Sequence, residues 1–245
     1  MSVSYLFALL VRDPLIILAT AVMGTISLIV ALWDRQGNAQ LKVARAWAWM
    51  LLRIAGTRVT VVGRERIVPG RSYVIVSNHV SYMDTPTLLT HLPVNFRFLA
   101  KQELFKIPFI GGHLLKAGHI SVPLDDPRAA LKVLSHAGAA LKERSLSVLV
   151  FPEGGRTPTG EMQEFRDGAA YLAIKGGVEL LPVALIGLRE ILPMGSGHMK
   201  PGRVTLRIGE PIDVSAMKVG DRVELTERLR SEIQAMQALG HAARR

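Results

Sequence analysis

Two short runs, Tyr73–Ser77 (YVIVS) and Ser147–Phe151 (SVLVF), are rich in β-branched and apolar residues and carry no charge. Strands of this kind need cover on both faces, which is the habit of parallel sheets flanked by helices. Each run passes directly into a polar segment: Asn78-His79-Val80-Ser81-Tyr82-Met83-Asp84 after the first, Phe151-Pro152-Glu153-Gly154-Gly155-Arg156-Thr157 from the end of the second. A buried sheet has no structural need for such residues, and ligands of α/β sheets bind beyond the carboxyl ends of strands. A histidine with an aspartate five residues on makes a base with an oriented imidazole. A Gly-Gly-Arg turn offers backbone N–H groups and a guanidinium to an anion. The pair points to acyl or phosphoryl chemistry.

The remaining pattern alternates strand and helix. Strands are expected at Arg58–Val62, Asn95–Ala100, Leu180–Ile186 and Val204–Ile208, with a helix after Met83 and an apolar stretch at Phe109–Ala117. The segment Pro127–Glu143 reads as a helix with proline at its start and Leu131, Leu134 and Leu141 on one face. A last helix, about Asp221–Ala238, sets Leu225, Leu229, Ile233 and Met236 at core-packing intervals. The expected fold is a single α/β domain, residues 58–245, with a largely parallel or mixed central sheet flanked by helices. Its length suits one core, and no internal repeat argues for more.

Residues 1–57 read as a membrane anchor. Pro14–Trp33 is an uncharged run of 20 residues, long enough as a helix to match a hydrocarbon layer of ~30 Å. It is too long for a signal-peptide core, and Arg12-Asp13 is a poor leader for one. Gly24, Thr25 and Ser27 leave both a spanning and a re-entrant path open. Arg12 alone precedes the run, whereas Arg35, Lys42, Arg45, Arg53 and Arg58 follow it, which places the domain on the cytoplasmic side, at the inner membrane in a bacterium. Leu41, Ala44, Ala48, Leu51, Leu52 and Ala55 recur at helical spacing beside Trp47 and Trp49. This stretch, 41–55, is either an interfacial amphipathic helix or a helix packed on the domain.

The net charge of +10 asks for an acidic partner. No basic run with interleaved aromatics favours nucleic acid, and a hydrophobic fraction of 49% favours the bilayer. The absence of cysteine excludes disulfides, zinc–thiolate sites and a cysteine nucleophile.

With these residues in place, the chain resembles the glycerolipid acyltransferases, whose signature is Asn-His-x-Ser-x-x-Asp followed by Phe-Pro-Glu-Gly-x-Arg. Two further blocks match in order: Lys101-Gln102-Glu103-Leu104 with Ile107-Pro108-Phe109-Ile110-Gly111-Gly112, and Leu181-Pro182-Val183-Ala184. The resemblance covers roughly residues 58–212. It implies transfer of a fatty acyl group from coenzyme A or acyl carrier protein to the hydroxyl of a lysophospholipid, lysophosphatidic acid first among them, without metal or bound cofactor. Other acceptors, such as a lyso-aminolipid, and a catalytically silent membrane-binding module of the same fold are the alternatives.

Thioester-to-ester transfer requires a base for the hydroxyl proton and donors for an oxyanion. His79 is the candidate base and Asp84 its orienting partner. Ser81 is a poor nucleophile, lacking a Gly-x-Ser-x-Gly elbow and standing two residues from the histidine, and reads as a cap. Glu153 suits a second base, a ligand of a glycerol hydroxyl or a brace for the turn; the resemblance implies substrate binding. Gly154 and Gly155 allow close approach of backbone N–H groups, and Arg156 and Lys101 are the candidate phosphate ligands. One departure stands out: many relatives read Gly-x-Ile-Phe-Ile-Asp-Arg where this chain reads Gly118-His119-Ile120-Ser121-Val122-Pro123-Leu124. The arginine assigned to phosphate is replaced by Leu124. Arg128 takes its place, or Arg156 and Lys101 suffice, or the acceptor is another lysolipid. His119 reads as structural, and His198 lies in a Gly/Pro/Lys loop without an assignable role.

Overall fold

The computed structural model describes residues 6–107, 110–144, 146–157 and 159–242. A π-helical turn, Ala8–Arg12, leads into α1 (Asp13–Val30), and the chain returns as α2 (Asn38–Ala55). β1 (Thr57–Val62) and β2 (Val74–Ser77) precede α3 (Asp84–His91). Then come β3 (Phe96–Lys101), α4 (Ile110–Lys116), β4 (Ile120–Val122) and α5 (Pro127–Arg144). The chain ends with β5 (Ser147–Val150), α6 (Gly168–Gly176), β6 (Leu180–Ile186), the single turn α7 (Leu188–Ile191), β7 (Gly202–Ile208) and α8 (Arg222–Ala242). Of the expected Ile107–Gly112 block and Phe109–Ala117 stretch, Pro108 and Phe109 lie outside the described residues.

The sheet runs β1-β7-β6-β2-β5-β3-β4, and every neighbouring pair is parallel except β6 and β7. It is therefore the mixed sheet of a single α/β domain. β2 lies beside β5 with Val74 opposite Val148 and Val76 opposite Val150, so the two polar segments leave the sheet side by side at the same edge. Side chains of successive strand residues point to opposite faces. Val74, Val76, Val148 and Val150 accordingly meet Leu134 and Leu141 of α5, Leu172 of α6 and Leu229 and Ile233 of α8. Ile75 and Leu149 face the other way, toward Leu41, Ala48 and Leu52 of α2 and Leu88 of α3. All four residues of β2 and of β5 are buried, as charge-free strands under two helical layers must be.

β4 was not anticipated: three residues between Gly118 and Pro123 carry too short a pattern to register. α3 starts at Asp84, directly after Met83 as expected, and His79 sits in the loop that precedes it. α2 shares the domain core through Leu41, Ala48, Leu52 and Ala55, and Arg45 Nη2 donates to Leu92 O at 2.8 Å; packing thus continues across residue 57. The apolar face of α2 is occupied by the domain, while Trp49 and Arg53 point outward with the guanidinium 5.7 Å from the ring centroid.

Ala8–Val30 is long and apolar enough to cross a membrane. Its outer face is bare: Leu10, Ile17 and Leu18 are 70%, 69% and 59% exposed. Both of its ends are tied to the body. Arg12 Nη1 donates to Met199 O at 2.7 Å and Asp13 pairs with His198 at one end; Ser27 Oγ is 2.7 Å from His113 Nδ1 of α4 near the other. At the α1–α2 turn, Gly37 has φ 72°, and a Cβ there would collide with the Ala117 carbonyl. Helix α1 therefore lies along the body.

Candidate active site

Where β2 ends, Asn78 takes over the role of a strand residue. Its Nδ2 donates to Leu185 O at 3.0 Å and its Oδ1 accepts the Leu185 N–H at 2.8 Å, splicing the loop onto β6. The loop then folds over the carboxylate that begins α3. Asp84 Oδ2 accepts from His79 Nδ1 at 2.7 Å, from Val80 N–H at 2.7 Å and from Ser81 N–H at 2.9 Å. A carboxylate already taking two backbone donors fixes the tautomer, with the ring proton on Nδ1 and the lone pair on Nε2. The ring is also clamped flat on Phe151, centroids 3.8 Å apart and planes within 13°. Ser81 is occupied elsewhere: Oγ donates to Leu192 O at 2.9 Å and accepts the Met83 N–H at 3.1 Å. The serine hydroxyl is thus committed to backbone groups, the role of a local cap.

The second segment locks onto the first. Glu153 Oε1 accepts the His79 backbone N–H at 2.7 Å, and Oε2 accepts the Gln163 N–H at 3.0 Å. Both oxygens of this buried side chain hold backbone, so the geometry is that of a brace between two loops. Gly154 has φ 72° and its N–H closes the turn onto Phe151 O at 3.1 Å. Gly155 is different: a Cβ there would meet open space, and among the described residues its N–H has no backbone partner. Arg156 turns inward, Nε donating to Ser81 O at 3.1 Å and its guanidinium carbon lying 4.3 Å from the Tyr82 ring centroid.

These groups open into a cavity of about 830 Å³. Its wall includes the apolar side chains of Leu99, Leu114, Val122, Leu124, Leu131 and Leu134, and His79 and Gly155 line it too. Lys101, at the end of β3, lies on the cavity wall with Arg156. Arg128 is not among the lining residues: it is exposed in the first turn of α5, where its N–H caps onto Asp126 Oδ1. Two further cations do line the cavity and escaped the sequence reading. Arg222, at the start of α8, pairs with Asp167 at 2.7 Å. Arg166 donates its N–H to Pro152 O at 3.0 Å and its Nη1 to Leu124 O at 3.1 Å. The only local signal for Arg166 is a basic residue shortly before the helix α6; what places it is the contact with residue 124, distant in sequence.

Burial lowers the His79 pKa below the ordinary imidazole value, more than its bond to Asp84 and that carboxylate's charge raise it, and the nearby Arg156 charge lowers it further. The imidazole is accordingly neutral at pH 7, the state a base needs. Burial raises the Glu153 pKa, against the two backbone N–H groups it accepts. His119 is set aside from chemistry by its own surroundings: Nδ1 accepts the Phe98 N–H at 2.9 Å, and burial, with His113 and Arg97 nearby, brings its pKa to about 3.

Known proteins resemble this chain in sequence and in fold. The 1-acyl-sn-glycerol-3-phosphate acyltransferase of Chlamydomonas reinhardtii is 38% identical over 151 residues, 61% of this chain and 45% of the alga's protein. The chloroplastic enzyme of that name from Arabidopsis thaliana is 34% identical over 179 residues, 72% of this chain and 49% of its own. The chain thus spans about half the length of these two curated relatives. A crystal structure of the 1-acyl-sn-glycerophosphate acyltransferase of Thermotoga maritima superposes with a TM-score of 0.78 at 27% identity, covering 98% of this chain and 96% of that one. The family model for acyltransferases matches residues 58–186, just over half of the chain and the span holding both polar segments. The chain belongs to the acyltransferase family.

Proposed function

We propose that the protein acylates the free hydroxyl of lysophosphatidic acid, giving phosphatidic acid, with a fatty acyl thioester of coenzyme A or acyl carrier protein as donor. The observation that carries this reading is the His79–Asp84 pair, its imidazole oriented and neutral, on the wall of a cavity lined largely by apolar side chains. In the reaction, His79 Nε2 removes the hydroxyl proton as the oxygen attacks the thioester carbonyl. Asp84 stabilises the imidazolium that forms. The Gly155 N–H, held at the cavity without a Cβ in the way, donates to the oxyanion. When the intermediate collapses, the carbon–sulfur bond breaks and the thiolate takes the proton from His79. Glu153 holds the His79 backbone in place throughout. Lys101 and Arg156 give the cavity the positive charge that a phosphate-bearing acceptor requires.

The bare apolar face of α1 supports a membrane-bound protein, and the tethering of both helix ends to the body supports insertion along the bilayer surface over a perpendicular span. Basic residues following the segment support the cytoplasmic face. The test is turnover in liposomes carrying lysophosphatidic acid, with acyl-coenzyme A and acyl carrier protein thioester offered separately. Phosphatidic acid should accumulate with at least one donor; hydrolysis of donor with no lipid product would contradict the reading.

A further inference from the structure

The cations on the cavity wall differ in what they already hold. Arg222 is neutralised by Asp167 at 2.7 Å. Arg156 spends Nε on Ser81 O and lies over Tyr82. Arg166 is fixed by its backbone N–H and by Nη1, while among the described residues Nε and Nη2 have no hydrogen-bond partner and no carboxylate pairs with it. A pair of N–H groups along one guanidinium edge is the geometry that meets two phosphate oxygens at once.

Its position fits that use. A Cβ built at Gly154 would come within 3.2 Å of Arg166 Nε and 3.6 Å of Leu124 Cδ1, so Arg166 and Leu124 meet across this glycine. Gly154 directly follows Glu153, whose carboxylate carries the His79 N–H. The phosphate of a 1-acylglycerol 3-phosphate is separated from the attacking 2-hydroxyl only by the glycerol backbone and an ester oxygen, so its cationic partner must stand close to the base. Position 124, where the resemblance led one to expect a basic residue, supplies an apolar side chain and a carbonyl; the charge at that spot comes from Arg166.

We propose that Arg166 is the acceptor-contacting residue that confers selectivity for a phosphate-bearing lysolipid, a reading that rests on the proposed acyl transfer and adds a ligand to it. The other phosphates that could reach this wall are those of the donor, in coenzyme A or in the phosphopantetheine of a carrier protein.

The experiment compares wild type with Arg166→Gln and Arg166→Lys, each checked for an unchanged thermal unfolding midpoint, on lysophosphatidic acid and on the uncharged monoacylglycerol of the same chain. Loss of one charge-assisted, two-pronged contact should raise KM for lysophosphatidic acid about ten- to a hundredfold in Arg166→Gln, with a smaller rise in Arg166→Lys. Activity on monoacylglycerol and KM for acyl-coenzyme A should stay as in wild type. The double variant Arg166→Gln with Leu124→Arg should recover most of the lost selectivity, because the new guanidinium enters the same corner of the cavity. Binding of a 2-deoxy lysophosphatidic acid, which cannot react, is measured in parallel by calorimetry and should weaken by the same factor. Equal losses on both acceptors, a rise confined to KM for acyl-coenzyme A, or unchanged binding of the deoxy analogue would each overturn the assignment. Wild-type protein that binds the analogue through Arg166 but turns over no acceptor would leave this inference standing and overturn the enzymatic reading instead.

Discussion

Glu153 and His79 arrive on neighbouring parallel strands, and the glutamate carboxylate accepts the histidine's backbone N–H at 2.7 Å. The two polar segments are therefore one mechanical unit. Glu153→Gln replaces an acceptor oxygen by an NH₂ group that faces a backbone N–H, either of His79 or of Gln163. Leaving one buried donor unpaired costs roughly 1–3 kcal/mol. Urea unfolding should show that loss, and kcat should fall with little change in KM. A raised KM at unchanged stability would instead make Glu153 a substrate ligand.

The pH dependence follows from the state of His79. Its pKa lies below the ordinary 6.5 because burial, the largest cause, and the Arg156 charge outweigh the help of Asp84. Activity needs the neutral imidazole, so it is full above that pKa and declines as pH falls through it. The acid limb of kcat/KM should lie below pH 6.5. Asp84→Asn removes the carboxylate charge and weakens the hydrogen bond, the two effects that raise the pKa, so the limb should move further down while kcat drops by about 10²–10⁴, in the range a mis-oriented general base produces. A limb moving upward in Asp84→Asn would contradict this electrostatic account.

The outer face of the apolar segment Ala8–Val30 gives an independent test. Leu10, Ile17 and Leu18 contact little of the body, so changing all three to serine should leave the fold intact. Each buried side chain of this size contributes ~1.5–3 kcal/mol on leaving water. Liposome flotation of the triple variant should therefore be strongly reduced, and turnover on bilayer acceptor should fall more than turnover on dispersed acceptor. Unchanged flotation would show that another surface holds the membrane.

Much of this was legible in the sequence because the informative residues are local. His79 and Asp84 are close in the chain, Gly154, Gly155 and Arg156 are contiguous, and the charge-free strands before them announced a buried sheet. What stayed hidden depends on contacts between distant segments. The role of Glu153 needs the register of β2 against β5, Arg166 needs the loop at Leu124, and the burial of the Leu41–Ala55 face needs the position of α3. Periodicity marks a face as apolar without saying what will cover it.

The most direct test of the central claim is phosphatidic acid synthesis by His79→Ala in liposomes, measured beside wild type at equal folded concentration. The ring packs on Phe151 and is held by Asp84, so circular dichroism and the unfolding midpoint must first show that the variant is folded. A base at Nε2 contributes ~10²–10⁴-fold, and the account predicts a loss of at least that size with KM for both substrates little changed. Wild-type rate in folded His79→Ala protein would contradict it.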